Sequence, residues 1–185
     1  ISYRDYDGLR ESQDAPLFNR ALQGQYQPGS TLKPFIGLVG LGANVINAAD
    51  AIDDPGWYQL PDNERLYRDW NWTKTDNGGH GRVNLQKAIY RSCNVYFYDL
   101  AVRLGIDRLS KGLEQFGLGQ VTVLDLPEAN KGLVPSRAWK RQARKLPWYP
   151  GDTVNLGIGH GDMLVTPLQM AAGAAMLANR GQWVM

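Results

Sequence analysis

Apolar positions along the chain fall into short bursts separated by long polar stretches. The first burst, Phe35-Ile-Gly-Leu-Val-Gly-Leu41, directly follows Lys33-Pro34. Proline is tolerated in the first turn of a helix, where its missing N–H costs nothing. This pattern predicts a buried helix over residues 31–43, entered from the Pro28-Gly29 turn. Leu85, Ala88 and Ile89 repeat at helical spacing and predict a second helix over 85–90. A third, over about 94–104, would bury Val95, Tyr98 and Val102 and stop at Gly105. A short helix over 106–116 turns Leu109 and Leu113 inward, with Gly117 as its stop. Thr166 is a good N-cap and Pro167 a good first helical residue for a last helix through Leu177, closed by Gly181.

The polar stretches read as follows. Residues 1–29 are turn-rich with little periodicity, and 44–59 form a loop around the Asp53-Asp54-Pro55-Gly56 turn. Residues 67–70 suggest a short strand, and 73–81 a loop. Residues 117–156 are largely irregular, and Trp183-Val-Met185 begins a strand. The expectation is a mostly α piece with long ordered loops.

Composition narrows this picture in three ways. A length of 185 residues suits one domain with a sizeable core. A net charge of +2 gives no global reason for a nucleic-acid or acidic partner. No apolar run approaches membrane-spanning length, and no signal peptide opens the chain. Ile1 is not a start methionine, so an excised piece is expected, and the lone Cys93 excludes an internal disulfide.

The chemistry begins at Ser30-Thr-Leu-Lys33. A serine hydroxyl becomes nucleophilic when a neighbouring base takes its proton. Lys33, three residues on, lies on the same helical face, and burial would depress its pKa toward that of a base. Ser30 also reads as a plain N-cap. Ser92-Cys93-Asn94 sits at the junction of two predicted helices. Its hydroxyl suits a proton relay, and its amide suits binding a substrate carbonyl and steadying the lysine; helix capping by either residue is the plainer reading. Gly157-Ile-Gly159-His-Gly161 would allow close backbone approach. A nucleotide reading of it lacks the strand–helix context and downstream acid.

Ser-x-x-Lys, then Ser-x-Asn about 60 residues on, then the glycine-rich stretch running into Thr166-Pro-Leu-Gln169, together resemble the penicillin-binding transpeptidases. The likeness is closer to the elongation-type class B, or penicillin-binding protein 2, group. It runs through Tyr26–Phe35, Asp54-Pro-Gly-Trp57-Tyr-Gln-Leu-Pro61, Tyr67-Arg-Asp-Trp70, Gly79-His-Gly-Arg82, Gly105-Ile-Asp-Arg-Leu-Ser110 and Pro147-Trp-Tyr-Pro-Gly-Asp-Thr153. The resemblance implies that residues 1–185 are the helical part of an α/β fold of the penicillin-binding and serine β-lactamase-like type. Ser30 would be the acylated nucleophile, Lys33 its base, and Ser92 and Asn94 the second motif. The implied reaction is D,D-transpeptidation of peptidoglycan stem peptides in the periplasm, with β-lactams acylating the same serine. The parent chain would carry an N-terminal anchor in the inner membrane. Its partners would be a membrane glycosyltransferase and other elongation proteins. The family's third motif, Lys-Thr/Ser-Gly, occurs nowhere here, so the piece is expected to lack that strand and the flanking sheet strands and to be weak or inactive alone. His160 stands where the family commonly has glutamine and reads as a tolerated loop change. A β-lactamase or β-lactam sensor relative, and a non-catalytic helical fragment, are the rival readings.

Two further features remain. Asp54, Asp69, His80 and Cys93 offer the N, S and O ligand types that Zn²⁺ takes. They also read blandly, as turn formers, a loop histidine and a buried small hydrophobe. Members of the resembled group carry the same set around a structural zinc, which implies that role here. Finally, five of the nine residues from Arg137 to Lys145 are basic. That run reads as a solvated helix face, or as a contact with anionic lipid or glycan.

Overall fold

Two apolar helices, α2 (Lys33–Gly42) and α4 (Asn94–Leu104), pack against each other and carry the core. The structure is a computed structural model and describes residues 2–76, 78–121 and 128–183. Phe35, Ile36 and Val39 of α2 meet Phe97, Leu100, Ala101 and Leu104 of α4 in one buried cluster. A fully buried side chain of this size contributes about 1.5–3 kcal/mol. Helix α5 (Ile106–Glu114) closes on α2, and α7 (Pro150–Leu156) closes on α4. Gly112 explains the closeness of α2 to α5, because a Cβ there would lie 2.5 Å from Val39 Cγ1.

The remaining helices follow local signals. Helix α1 (Tyr3–Glu11) is capped by Ser2, whose hydroxyl accepts from Asp5 N. Asn84 caps α3 (Leu85–Tyr90), and Ser136 caps α6 (Arg137–Arg144). Helix α8 (Pro167–Ala178) opens with a reciprocal capping box between Thr166 and Gln169. The Gln169 amide also donates to Gln120 O and Lys131 O, tying the start of α8 to the preceding loop.

Among the described residues, four short strands form two antiparallel pairs. Strand β1 (Ala51–Asp54) pairs with β4 (Gly81–Asn84), setting Ile52 opposite Val83 and Asp54 opposite Gly81. Strand β2 (Trp57–Gln59) pairs with β3 (Leu66–Arg68), setting Tyr58 opposite Tyr67. Both ribbons pack on α4.

Helices make up 43% of the structure and strands 10%, so the mostly helical expectation holds. Its details need correction. Residues 1–29 contain α1, and 44–59 contain β1 and β2 rather than loop alone. The strand expected at 67–70 starts one residue earlier and ends two earlier, as β3, and Gly81 opens β4 instead of ending a loop. Residues 117–156 contain α6 and α7. Val102 is only half-buried. The strand expected at 183–185 lies mostly outside the described residues.

Candidate active site

Ser30 lies exposed in a 3-10 turn, Gly29–Leu32, that leads into α2. The helix N-cap is Leu32, so Ser30 is not a capping residue. Instead Gly29 is clamped from outside. Its N–H donates to Gly159 O at 3.1 Å. Gly159 has φ +70, and a Cβ there would stand 2.3 Å from Gly29 O. Only glycine permits that approach, so the glycine-rich loop supports the turn that carries the serine.

At the first residue of α2, Lys33 is 1% exposed. Its Nζ donates to Ser92 O at 2.6 Å, Ser92 Oγ at 3.0 Å and Asn94 Oδ1 at 2.6 Å. The expected direct reach to Ser30 is therefore replaced by a bridge from α2 to the α3–α4 junction. Ser92 occupies the left-handed region at φ +51, a conformation that costs a non-glycine residue roughly 1–2 kcal/mol. This places both its carbonyl and its hydroxyl on Lys33. The cap of α4 is Cys93, whose sulfur accepts from Tyr96 N, so neither Ser92 nor Asn94 is spent on capping. Burial lowers the Lys33 pKa to about 8, against the pull of Asp69 and Cys93, which raise it.

Ser30, Ser92 and Asn94 line one cavity of about 220 Å³ with Trp70, Arg91, Ile158 and His160. The last four went unassigned as cleft residues in the sequence. Trp70 is fixed there by its Nε1–H, which donates to Arg91 O at 3.1 Å. His160, read as a loop change, lines the same cavity as Ser30.

Beside the cleft, the structure brings Asp54, Asp69, His80 and Cys93 together, with one ligand atom from each within 4.8 Å of the others. His80 Nδ1 lies 2.8 Å from Asp54 Oδ2 and 3.4 Å from Asp69 Oδ2. Cys93 Sγ lies 3.2 Å from Asp54 Oδ2. Zn–ligand bonds of about 2.0–2.3 Å place tetrahedral ligands roughly 3.3–3.8 Å apart. The donor types fit that ion, while the 2.8 and 3.2 Å separations are those of hydrogen bonds and would have to open by some tenths of an ångström to admit it. The carboxylates are pre-aimed. Asp54 accepts from Gly56 N and His80 N, and Asp69 from Trp70 N and Asn94 N. Burial pushes Asp54 up, but hydrogen bonds from Gly56, His80 and Cys93 outweigh it and leave its pKa below the ordinary value. Burial, with Asp54 and Asp69 adding to it, pushes the Cys93 thiol well up. Two dry carboxylates beside a thiol and an imidazole form a donor set that a divalent cation would neutralise.

A family profile described as the penicillin binding protein transpeptidase domain matches residues 2–185. The chain belongs to the penicillin-binding protein transpeptidase family. Among relatives of this family, it is 46% identical over 184 residues to the peptidoglycan D,D-transpeptidase MrdA of Acinetobacter baumannii. That alignment covers all of this chain and 27% of the relative, so the chain spans about a quarter of it. Among solved structures, the penicillin-binding protein PBP2 of Pseudomonas aeruginosa superposes with TM-score 0.92 at 50% identity, over all of this chain and 41% of that one. PBP2 of Helicobacter pylori, solved in complex with MreC, matches 97% of this chain and 33% of its own at TM-score 0.87 and 36% identity.

The Lys33 cradle generates a prediction. Asn94→Ala leaves a buried ammonium short of one acceptor and lowers unfolding free energy by about 1–3 kcal/mol at neutral pH. The lost bond favours the charged lysine. The penalty therefore shrinks as pH rises past about 8, where Lys33 in the folded protein sheds its proton. Urea denaturation across that range reads both effects, and a penalty independent of pH would contradict the assignment.

Proposed function

We propose that the chain carries the nucleophile, base and second motif of a serine D,D-transpeptidase that cross-links peptidoglycan during cell elongation. The observation that carries this reading is the Lys33 amine, buried between Ser92 and Asn94 at the wall of a cleft that exposes Ser30. Neutral Lys33 accepts the Ser30 proton through Ser92 Oγ, which lies 3.0 Å from Nζ. Ser30 Oγ attacks the carbonyl of the D-Ala-D-Ala bond. The tetrahedral intermediate expels the terminal D-Ala, whose nitrogen takes that proton. An amine from a neighbouring stem peptide then attacks the ester, gives up a proton by the same route, and frees Ser30. Asn94 holds Lys33 in place through Oδ1 and offers its side-chain NH2 to the substrate carbonyls. A β-lactam carbonyl enters at the same atom and leaves a stable acyl-serine.

In this reading the protein works in the periplasm, held to the membrane by a segment of its parent chain. No helix among the described residues is long and apolar enough to cross a membrane itself. Its partners are a membrane glycosyltransferase and other elongation proteins, a reading supported by the complex of the Helicobacter relative with MreC.

We also propose that Asp54, Asp69, His80 and Cys93 hold one structural Zn²⁺. Four protein ligands leave no open position for water, so the ion would supply cross-linking rather than chemistry. It would tie the end of β1, the turn after β3 and the residue before β4 to the cap of α4. Cys93 stands between Ser92 and Asn94, so the ligands also hold the backbone that aims those two side chains.

Two sets of variants test these proposals. In the full-length protein, Ser30→Ala abolishes covalent labelling by a fluorescent penicillin. Lys33→Arg loses it as well, because arginine keeps the charge but does not yield its proton. Stoichiometric labelling of the alanine variant would remove Ser30 as the nucleophile, and normal labelling of the arginine variant would reduce Lys33 to a charge. For the metal, elemental analysis should find one zinc per chain. Cys93→Ser should release it, lower the melting temperature and slow acylation. Protein that contains no zinc, and whose melting temperature a chelator leaves unchanged, would overturn the metal proposal.

A further inference from the structure

Helix α6 carries Arg137, Lys140, Arg141 and Arg144 and ends at Lys145, with no acidic residue in that span. Three of these cations are matched by acids from other segments. Arg137 Nε reaches both carboxylate oxygens of Asp107 at 3.1 and 3.2 Å. Lys140 pairs with Asp152. Arg144 reaches Asp162 at 2.9 Å. Arg141 and Lys145 are exposed, and neither has an acid within ion-pair distance among the described residues. They stand four residues apart, so two like charges repel across one helical turn, a destabilising arrangement.

A second observation concerns the backbone. Lys145 is the C-cap of α6 and has φ +59, ψ +27, in the left-handed region. Glycine is the usual residue there, and a lysine bears a cost of roughly 1–2 kcal/mol. The backbone leaves the helical path of α6 at this residue. Arg137, Arg141 and Lys145 line one open cavity of about 900 Å³ with Gln142, Pro147 and Trp148. The Trp148 indole is fixed as a wall by its Nε1–H, which donates to Thr153 Oγ1 at 2.8 Å.

We propose that this groove binds an extended strand of uncross-linked peptidoglycan, whose stem-peptide carboxylates pair with Arg141 and Lys145 while its sugars pack on Trp148. The inference rests on the transpeptidase reading above and names where that substrate polymer is held outside the cleft. Three features select this occupant. The surface is concave, which suits a chain and not a bilayer face. Cations one helical turn apart match carboxylates spaced along a peptide, and a guanidinium binds them in two-point fashion. The helix that walls the groove is also tied to a cleft loop by the Arg144–Asp162 pair, two residues from His160, while the groove itself lies toward the C-terminal end of α4, where Arg137 and Trp148 border Val102, Gly105 and Ile106. A strand seated here is held on the enzyme away from Ser30, which raises the local concentration of its further stem peptides at the cleft.

The test uses full-length protein and soluble, uncross-linked peptidoglycan strands, with affinity read by fluorescence anisotropy. The double substitution Arg141→Glu/Lys145→Glu should weaken binding about tenfold or more, with an unchanged melting temperature and unchanged fluorescent-penicillin labelling. Arg141→Gln/Lys145→Gln should weaken it less, in the same direction, and stands in if charge reversal disturbs the fold. Strands with their carboxylates amidated should bind wild type with the affinity the charge-reversed variant has for native strands. The proposal is overturned if both double variants bind native strands as wild type does, or if amidation changes nothing. It is also overturned if the two cations govern binding to phosphatidylglycerol vesicles and not to strands. Loss of penicillin labelling in wild type would instead strike the transpeptidase reading, and strand affinity would still report on the groove.

Discussion

The buried ammonium of Lys33 is the constraint on which the site depends. A charge taken out of water is costly unless its donors are all used. Here three acceptors surround it, and all three come from Ser92 and Asn94. That arrangement ties α2 to the start of α4 by a polar contact inside an otherwise apolar interface. It also explains why Ser92 tolerates a left-handed backbone: the strain delivers two oxygens to one ammonium. Burial lowers the lysine toward the range where a base works near neutral pH, so the same contact that joins the helices prepares the chemistry.

Around this centre, two supports hold the reacting groups from opposite sides. The glycine-rich loop presses on Gly29 and fixes the turn bearing Ser30. The Asp54, Asp69, His80 and Cys93 quartet grips the other side, because Cys93 caps α4 between the two residues that cradle Lys33. Asp69 adds to this grip by accepting from Asn94 N, so a carboxylate of the quartet touches the cradle directly. Asp54 and His80 stand at the adjoining ends of β1 and β4 and Asp69 follows β3, so the quartet also links both ribbons to the cap of α4.

The sequence made the helices and the two candidate motifs legible because both are local. Ser-x-x-Lys and Ser-x-Asn are short, and periodic apolar residues reveal α3, α4, α5 and α8. The strands stayed hidden for the opposite reason. β1 finds its partner about thirty residues away, and neither strand is long enough to show alternation. Helix α6 showed only as a basic run with the look of a solvated helix face, although Ser136 before Arg137 is a usable N-cap signal for its start. Helix α1 hid behind polar residues, with Ser2 and Asp5 as its cue. Spacing within one helix suggested that Lys33 reaches Ser30. It gave no means of seeing that Ser92, 59 residues away, captures the amine first. Trp70, Arg91 and His160 converge on the cleft from three separate segments, and no periodicity links them.

The account's central claim is that Lys33 is the base for Ser30, made so by burial. The pH dependence of the acylation rate by a penicillin, measured on full-length protein, tests it most directly. The neutral amine is the active form, so the rate should rise with pH and level off with a midpoint near about 8. A rate that stays flat from about pH 6 to about pH 9, in protein that remains folded throughout, would show that no group titrating there accepts the serine proton, and would contradict the account.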